Sequence, residues 1–180
     1  DAPLYMRFNN KDNNDTAQQF LKNVSEKELS NYLKIYGDLQ KSKRIAEMII
    51  KRRGFNKMKT TFDLKKAIID AIGKANNKIF SRVFQTIRIC TNNELETLKK
   101  TLELIPQYIN EDGRIAIISF HSIEDRITKH FFKDMSIIDE NDYYKKNIID
   151  YGFKLNVVTK KPIIASQSEI YNNKRARSAK

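Results

Sequence analysis

The run Ile115-Ala116-Ile117-Ile118 constrains this chain more than any other stretch. A turn glycine, Gly113, precedes it, and four apolar residues in succession are the pattern of a strand buried on both faces. The run breaks at Ser119-Phe120-His121 and restarts at helical spacing through Ile123, Ile127 and Phe131, with Ser122 as the expected N-cap and Asp125 answering it three residues on. A buried strand that turns tightly into a helix is where open α/β sheets bind ligands, which puts Ser119, Phe120 and His121 at an expected site. The same pattern also fits an ordinary strand-loop-helix of an α/β core.

Such a strand needs neighbours on both sides and helices on both faces. The rest of the chain offers helices in plenty. Asp15 and Gln18 read as a capping pair before Ala17, Phe20, Leu21 and Val24, and Ser25 and Glu28 repeat the device before Leu29 and Leu33, with Gly37 as a stop. Further helical patterns cover about 39–53, from Thr60 or Thr61 to Gly73, about 79–90 and about 93–108, and Ser166 with Glu169 caps a short last one. Residues 1–14 read as an extended lead-in and 136–150 as an irregular surface excursion. Only one more strand is expected, where Phe153, Leu155 and Val157 alternate with Lys154 and Asn156 before Pro162 ends it. Two strands do not make the sheet. Either that pattern misleads, or the other strands lie outside these residues.

Charge narrows the partners. The 180 residues carry 34 Lys and Arg against 22 Asp and Glu, a formal net charge of +12, which suits a polyanion, RNA or DNA first. Basic runs stand at Lys41–Arg44, Lys51–Arg53 and Lys174–Arg177. A solvated helix face explains the first two as well as a phosphate track does. The single Cys90 excludes an internal disulfide framework and points to a reducing, cytoplasmic setting. No apolar run reaches the length of a membrane span, no signal peptide is visible, and no His, Cys or carboxylate spacing makes a metal site. Asp1 in place of Met implies a start removed or encoded upstream.

Several stretches, in order, resemble the MraW/RsmH-type methyltransferases. DAPLYMR at 1–7 is similar to that family's DGPLDMR, with Tyr5 where the family usually has Asp. YGD at 36–38, KRIA at 43–46 and TTFDL at 60–64 fall in its helical segment. SRVFQTIRICTNNEL at 81–95 resembles R-x-FQALRI-x-VN-x-EL, and ISFHSIEDR at 118–126 nearly repeats ISFHSLEDR. TKKPI at 159–163 and NKRARSAK at 173–180 complete the likeness. The resemblance implies a helix-rich α/β chain: the C-terminal part of a Rossmann-like methyltransferase domain carrying an inserted all-helical domain. Its divisions would be 1–14, a lead-in from the methyltransferase domain; 15–92, the inserted helical substrate-recognition domain; and 93–180, the C-terminal part of the sheet domain. The family's glycine-rich cofactor loop lies upstream of DGPLDMR, and no G-x-G-x-G occurs here. The implied cofactor, S-adenosylmethionine, therefore has no binding motif in these residues, and the piece alone is expected to be inactive.

The implied reaction is methylation of a cytosine N4 in 16S rRNA of the small ribosomal subunit, with a homodimer left open. A cytosine amine is a weak nucleophile because its lone pair is delocalised into the ring. It must be held in line and relieved of a proton, and the base must leave its stack. Candidate groups are Ser119, His121 and Asn92 as polar contacts, Phe120 and Phe84 as apolar walls, and Arg82, Gln85, Arg88, Arg175 and Arg177 on RNA. Each has a plainer reading. Phe84 shares an inward stripe with Phe80 and Ile87, Gln85 and Asn92 fit helix caps, Arg88 fits an interhelical pair, and His121 fits a turn histidine bonded to backbone. Two rival functions need no chemistry: a noncatalytic helical RNA-binding module, and a protein-interaction domain.

Overall fold

Side-chain caps set most of the helix starts in the computed structural model, which describes residues 1–8, 16–136, 155–159 and 161–180. Helix α1 (Ala17–Asn23) starts one residue later than expected. Thr16, not Asp15, accepts the Gln19 N–H through its hydroxyl, and the Gln19 side-chain Oε1 accepts the Thr16 N–H at 2.7 Å. Thr-x-x-Gln is the stronger capping-box pair, and this start turns Ala17 and Leu21, four residues apart, into the core. Asp15 lies outside the described residues. Ser25 with Glu28 opens α2 (Glu26–Ile35) and Thr60 with Asp63 opens α4 (Thr61–Ile72), each by a reciprocal box. Between them runs α3 (Ser42–Gly54), and α5 (Asn77–Asn92) follows.

These helices belong to a first unit, Asp1–Glu94. Its core draws Leu21 from α1, Leu29 and Leu33 from α2, Ile45 and Ile49 from α3, Leu64 and Ile68 from α4, and Val83 and Ile87 from α5, all at or near zero exposure. Every pair repeats at three or four residues, so one stripe of each helix is buried. Gly37 owes its place to closeness as well as to helix termination. A Cβ there would lie 2.7 Å from the Leu33 carbonyl oxygen and 2.8 Å from the Thr86 hydroxyl, so any side chain would push α2 and α5 apart. Gly73, at φ 73°, ends α4 in a conformation that side chains resist.

Residues 1–8 are bound into this unit. Leu4 is fully buried, its N–H donates to the Lys59 carbonyl, and its own carbonyl accepts from Gln18 N–H. Pro3 and Thr60 form an isolated antiparallel bridge.

The second unit, Leu95–Lys180, holds most of α6 (Glu94–Leu104), a 3₁₀ turn at Ile105–Gln107, α7 (Ser122–Met135), α8 (Gln167–Asn172) and a 3₁₀ turn at Lys174–Ser178. The expected sixth helix is thus shorter than its pattern, because Pro106 tightens its last turn.

Both expected strands need correction. Residues 114–118 are extended but belong to no ladder, and Ile118 is 71% exposed, with Ile115 and Ile117 half-buried. Among the described residues the backbone of this segment finds a partner only at its end, where Ser119 and Lys180 exchange both N–H···O bonds at 3.0 and 2.9 Å, as in an antiparallel pair. The second strand is not seen either: among the described residues 155–159 belong to no ladder, Val158 is 78% exposed, and Leu155 donates its N–H to the Met135 carbonyl. Phe153, Lys154 and the excursion over 137–150 lie outside the described residues. The physical cause is shared. Apolar patterning creates a demand for a sheet, and no neighbouring strand among the described residues meets it. The protein described is helix-rich, with no β-strand among the described residues.

Candidate functional site

Helix α5 carries five of the expected residues. Gln85, Arg88 and Asn92 recur at three and four residues and so share one helix face. Asn92, in the last turn, spends its whole amide: Nδ2 donates to the Met6 carbonyl at 2.8 Å and to the Arg88 carbonyl at 2.9 Å, while Oδ1 accepts the Phe8 N–H at 2.9 Å. Arg88 forks onto Glu94, Nε to Oε1 at 2.8 Å and Nη2 to Oε2 at 3.0 Å, with its guanidinium 5.7 Å from the centre of the Phe8 ring. The bidentate pair fixes the plane of the guanidinium. Asn92 and Arg88 together therefore clamp the segment Met6–Phe8, which turns at Met6 with φ 52°. Asn93, left-handed at φ 51°, ends α5 and leaves Glu94 free to face back toward Arg88.

Arg82 donates to the Asp38 carbonyl at 3.0 Å and lies 3.3 Å from its carboxylate, which is almost wholly exposed and so weakly binding. Phe84 is half-buried against the helical core, and Gln85 is half-buried. Cys90 stands beside this set, and burial, with the Glu94 carboxylate, pushes its thiol up to about 12. It is a neutral thiol at physiological pH and no nucleophile.

In the second unit, Ser119, Phe120 and His121 are consecutive but differ in surroundings. Ser119 is buried, whereas the Phe120 ring is 55% exposed. The expected cap of α7 is displaced by one residue: His121, not Ser122, is the N-cap, and Glu124, not Asp125, answers it. His121 is extended, at φ −142° and ψ 162°, and its Nδ1 accepts the Glu124 N–H at 3.3 Å. The Glu124 Oε2 in turn accepts from Phe120 N–H at 2.8 Å and His121 N–H at 3.2 Å. An imidazole nitrogen does here what a Ser hydroxyl does elsewhere, and sequence rules built on Ser and Thr pass over it. With Nδ1 accepting, a neutral ring carries its proton on Nε2, which faces Glu124 Oε1 at 3.3 Å. The ring is thereby held at one angle beside an exposed aromatic face.

The basic tail returns to this segment. Lys180 pairs with the Ser119 backbone, and its ammonium lies 3.0 Å from Asp125 Oδ2. Arg175 and Arg177 are exposed on the 3₁₀ turn before it. Among the described residues, no helix is long and apolar enough to cross a membrane.

The link from Asn92 to Met6 and Phe8 is the arrangement that sequence reasoning missed. Its one signal was that 1–7 and 81–95 are both stretches of family likeness.

Comparison with known proteins bears directly on this geometry. The chain is 40% identical to the ribosomal RNA small subunit methyltransferase H of Halothermothrix orenii and 40% identical to that of Rickettsia canadensis. Each alignment covers all of this chain and 59% of the relative. The corresponding protein of Dictyoglomus thermophilum is 39% identical, with 55% of its length covered. The chain thus spans a little over half the length of these relatives. The MraW methylase family model matches residues 1–180, so both units, the α5 clamp and the His121 turn lie within one family's pattern, and the chain belongs to the MraW methylase family.

Proposed function

We propose that the complete protein carrying this chain methylates small-subunit rRNA, transferring a methyl group from S-adenosylmethionine to N4 of a cytosine in the cytoplasm. The observation that carries this reading is the match of residues 1–180 to the methylase family, together with about 40% identity to small-subunit rRNA methyltransferases.

The residues present do not fit the cofactor. The chain's glycines, at 37, 54, 73, 113 and 152, are too scattered for a phosphate- or ribose-cradling loop. The open hollow of about 360 Å³ beside Asp1, Pro3, Tyr5, Lys59 and Thr60 has no glycine in its lining. We therefore assign the cofactor site to the part of the relatives' length that this chain does not span. To that part we also assign the strands that would flank Ile115–Ile118, as in a Rossmann-like sheet.

This chain's contribution is then to hold the base. The exposed Phe120 ring is a stacking surface for an unstacked cytosine. Ser119 and His121 flank it as polar contacts. His121 acts through orientation, since its Nδ1 is already committed to the helix cap. Arg82, Phe84, Gln85 and Arg88 serve the substrate-facing side of the helical domain, Asn92 supports it by holding Met6–Phe8 with its committed amide, and Arg175 and Arg177 meet phosphate.

The test uses complete protein, isolated small subunits and isotopically labelled S-adenosylmethionine. Labelled N4-methylcytidine after nuclease digestion supports the reading. No labelled nucleoside, with subunit binding retained, would leave a noncatalytic RNA-binding module.

A further inference from the structure

The positive charge of this protein is concentrated. Residues 41–66 hold ten Lys and Arg against two carboxylates, so two-thirds of the net +12 falls on 26 residues. The rest of the first unit is nearly balanced, with nine cations and eight carboxylates. Composition drift would spread the excess evenly.

Not all ten are available. Arg52 is bonded to Asp70 at 2.6 Å, and Arg53 donates to the Leu21 and Val24 carbonyls at 2.9 and 2.7 Å. Lys65 lies over the Phe80 ring. What remains has an order. On α3, Lys43 and Lys51 are two turns apart, Arg44 adjoins the first, and all three are exposed. They share one stripe, tempered by Glu47 alone, because Asp63 is occupied with the α4 cap. At the end of that stripe Phe55 caps α3 with its side chain 67% exposed, followed by exposed Lys57 and Lys59. Phe62, 61% exposed, opens α4 with Lys66 four residues on along the same face.

From this, and resting on the rRNA reading above, we infer that the exposed stripe of α3, from Lys43 and Arg44 through Lys51 to Phe55, and the Phe62–Lys66 face of α4 bind single-stranded RNA. The cations track phosphates, and Phe55 and Phe62 each stack a base. Duplex RNA offers phosphates but no free base faces, and an acidic protein surface offers carboxylates without a regular succession of ring faces beside them, so the pairing of charge with bare aromatics favours the single strand.

The test measures affinity of the complete protein for a fluorescent single-stranded RNA of about 12 nucleotides, a length within the usual site size, and for a duplex of the same length, over a range of salt. Phe55→Ala is expected to weaken single-strand binding about 5- to 150-fold, the worth of one base stack, with little change for the duplex. Phe55→Leu, which keeps the apolar bulk, should fall with it. Lys43→Ala with Lys51→Ala should make the salt dependence shallower by about 1.4 in log–log slope, about 0.7 per lost phosphate contact. These side chains are exposed, and unchanged melting of each variant confirms that fold is not the cause. Unchanged single-strand affinity and slope would overturn the proposal, as would equal loss on duplex for Phe55→Ala. Loss confined to intact subunits, with naked RNA bound normally, would give the surface to a ribosomal protein and overturn it also. Methyl transfer measured in parallel separates the two readings. Transfer with an RNA-indifferent stripe sinks only this surface; stripe-dependent RNA binding without any transfer sinks only the methylation.

Discussion

Replacing Asn92 with alanine removes the amide that ties α5 to the segment Met6–Phe8. Two of its three hydrogen bonds cross to that segment, at 2.8 and 2.9 Å, and the third returns to its own helix. A neutral hydrogen bond contributes a net of about 0.5–1.5 kcal/mol, and a partner left dry costs somewhat more. The two crossing bonds therefore predict a loss of about 2 kcal/mol, which for a chain of this size lowers Tm by roughly 4–8 °C. Asn92→Asp is the sharper variant. It keeps the acceptor for Phe8 N–H but turns a carboxylate toward the Met6 and Arg88 carbonyls, so it should cost at least as much although it is nearly isosteric. The assay is urea unfolding paired with amide exchange at Phe8. Both variants should lower the midpoint, and the Phe8 amide should lose protection in Asn92→Ala. A shift under about 0.5 kcal/mol, with Phe8 still protected, would refute the clamp.

The Asp63 carboxyl is held low despite the opposing effect of burial, because Lys59 and Thr60 N–H groups and the Thr60 hydroxyl donate to it and Arg52 lies near. A depressed carboxyl contributes stability above its unfolded value, 3.8, and loses it as pH falls through the lower folded value. Asp63→Asn should therefore lower Tm at pH 7 and make little difference near pH 2, read by calorimetry at both. His121→Ser keeps a capping oxygen, so it should hold stability within about 0.5 kcal/mol, whereas His121→Ala loses about 1 kcal/mol. Both should lower methyl transfer by the complete protein if the imidazole orients substrate, and full activity in His121→Ser would reduce His121 to a cap. Cys90, with its thiol near 12, should react with an alkylating reagent at pH 8 far more slowly than free cysteine, and rapid labelling of folded protein would contradict its burial.

The helices were legible because periodicity and capping are local. Ser25–Glu28 and Ser166–Glu169 each announce a start within four residues and the structure places both helices there, while between Thr60 and Thr61 the structure selects Thr60, answered by Asp63. The misplaced starts have the same local origin. At α1 two overlapping capping pairs competed, and at α7 the capping atom belongs to an imidazole. Strands were not legible in the same way. A strand's pattern states what it needs on each side and not whether this chain supplies it, so Ile115–Ile118 read as buried and Ile118 stands exposed. The candidate site divided along the same line. The turn at 119–121 could be placed from a strand-to-helix break, but Asn92 and Arg88 meet Met6 and Phe8 across eighty residues or more, which no local pattern encodes.

The claim on which the rest depends is that the extended isoleucine segment is an interior strand completed by residues of the whole protein that lie outside this chain. Amide exchange at Ile115–Ile118, measured in the complete protein and in the 180-residue chain, tests it directly. The account predicts strong protection in the complete protein and rapid exchange in the chain alone. Rapid exchange in both, or equal protection in both, would contradict it.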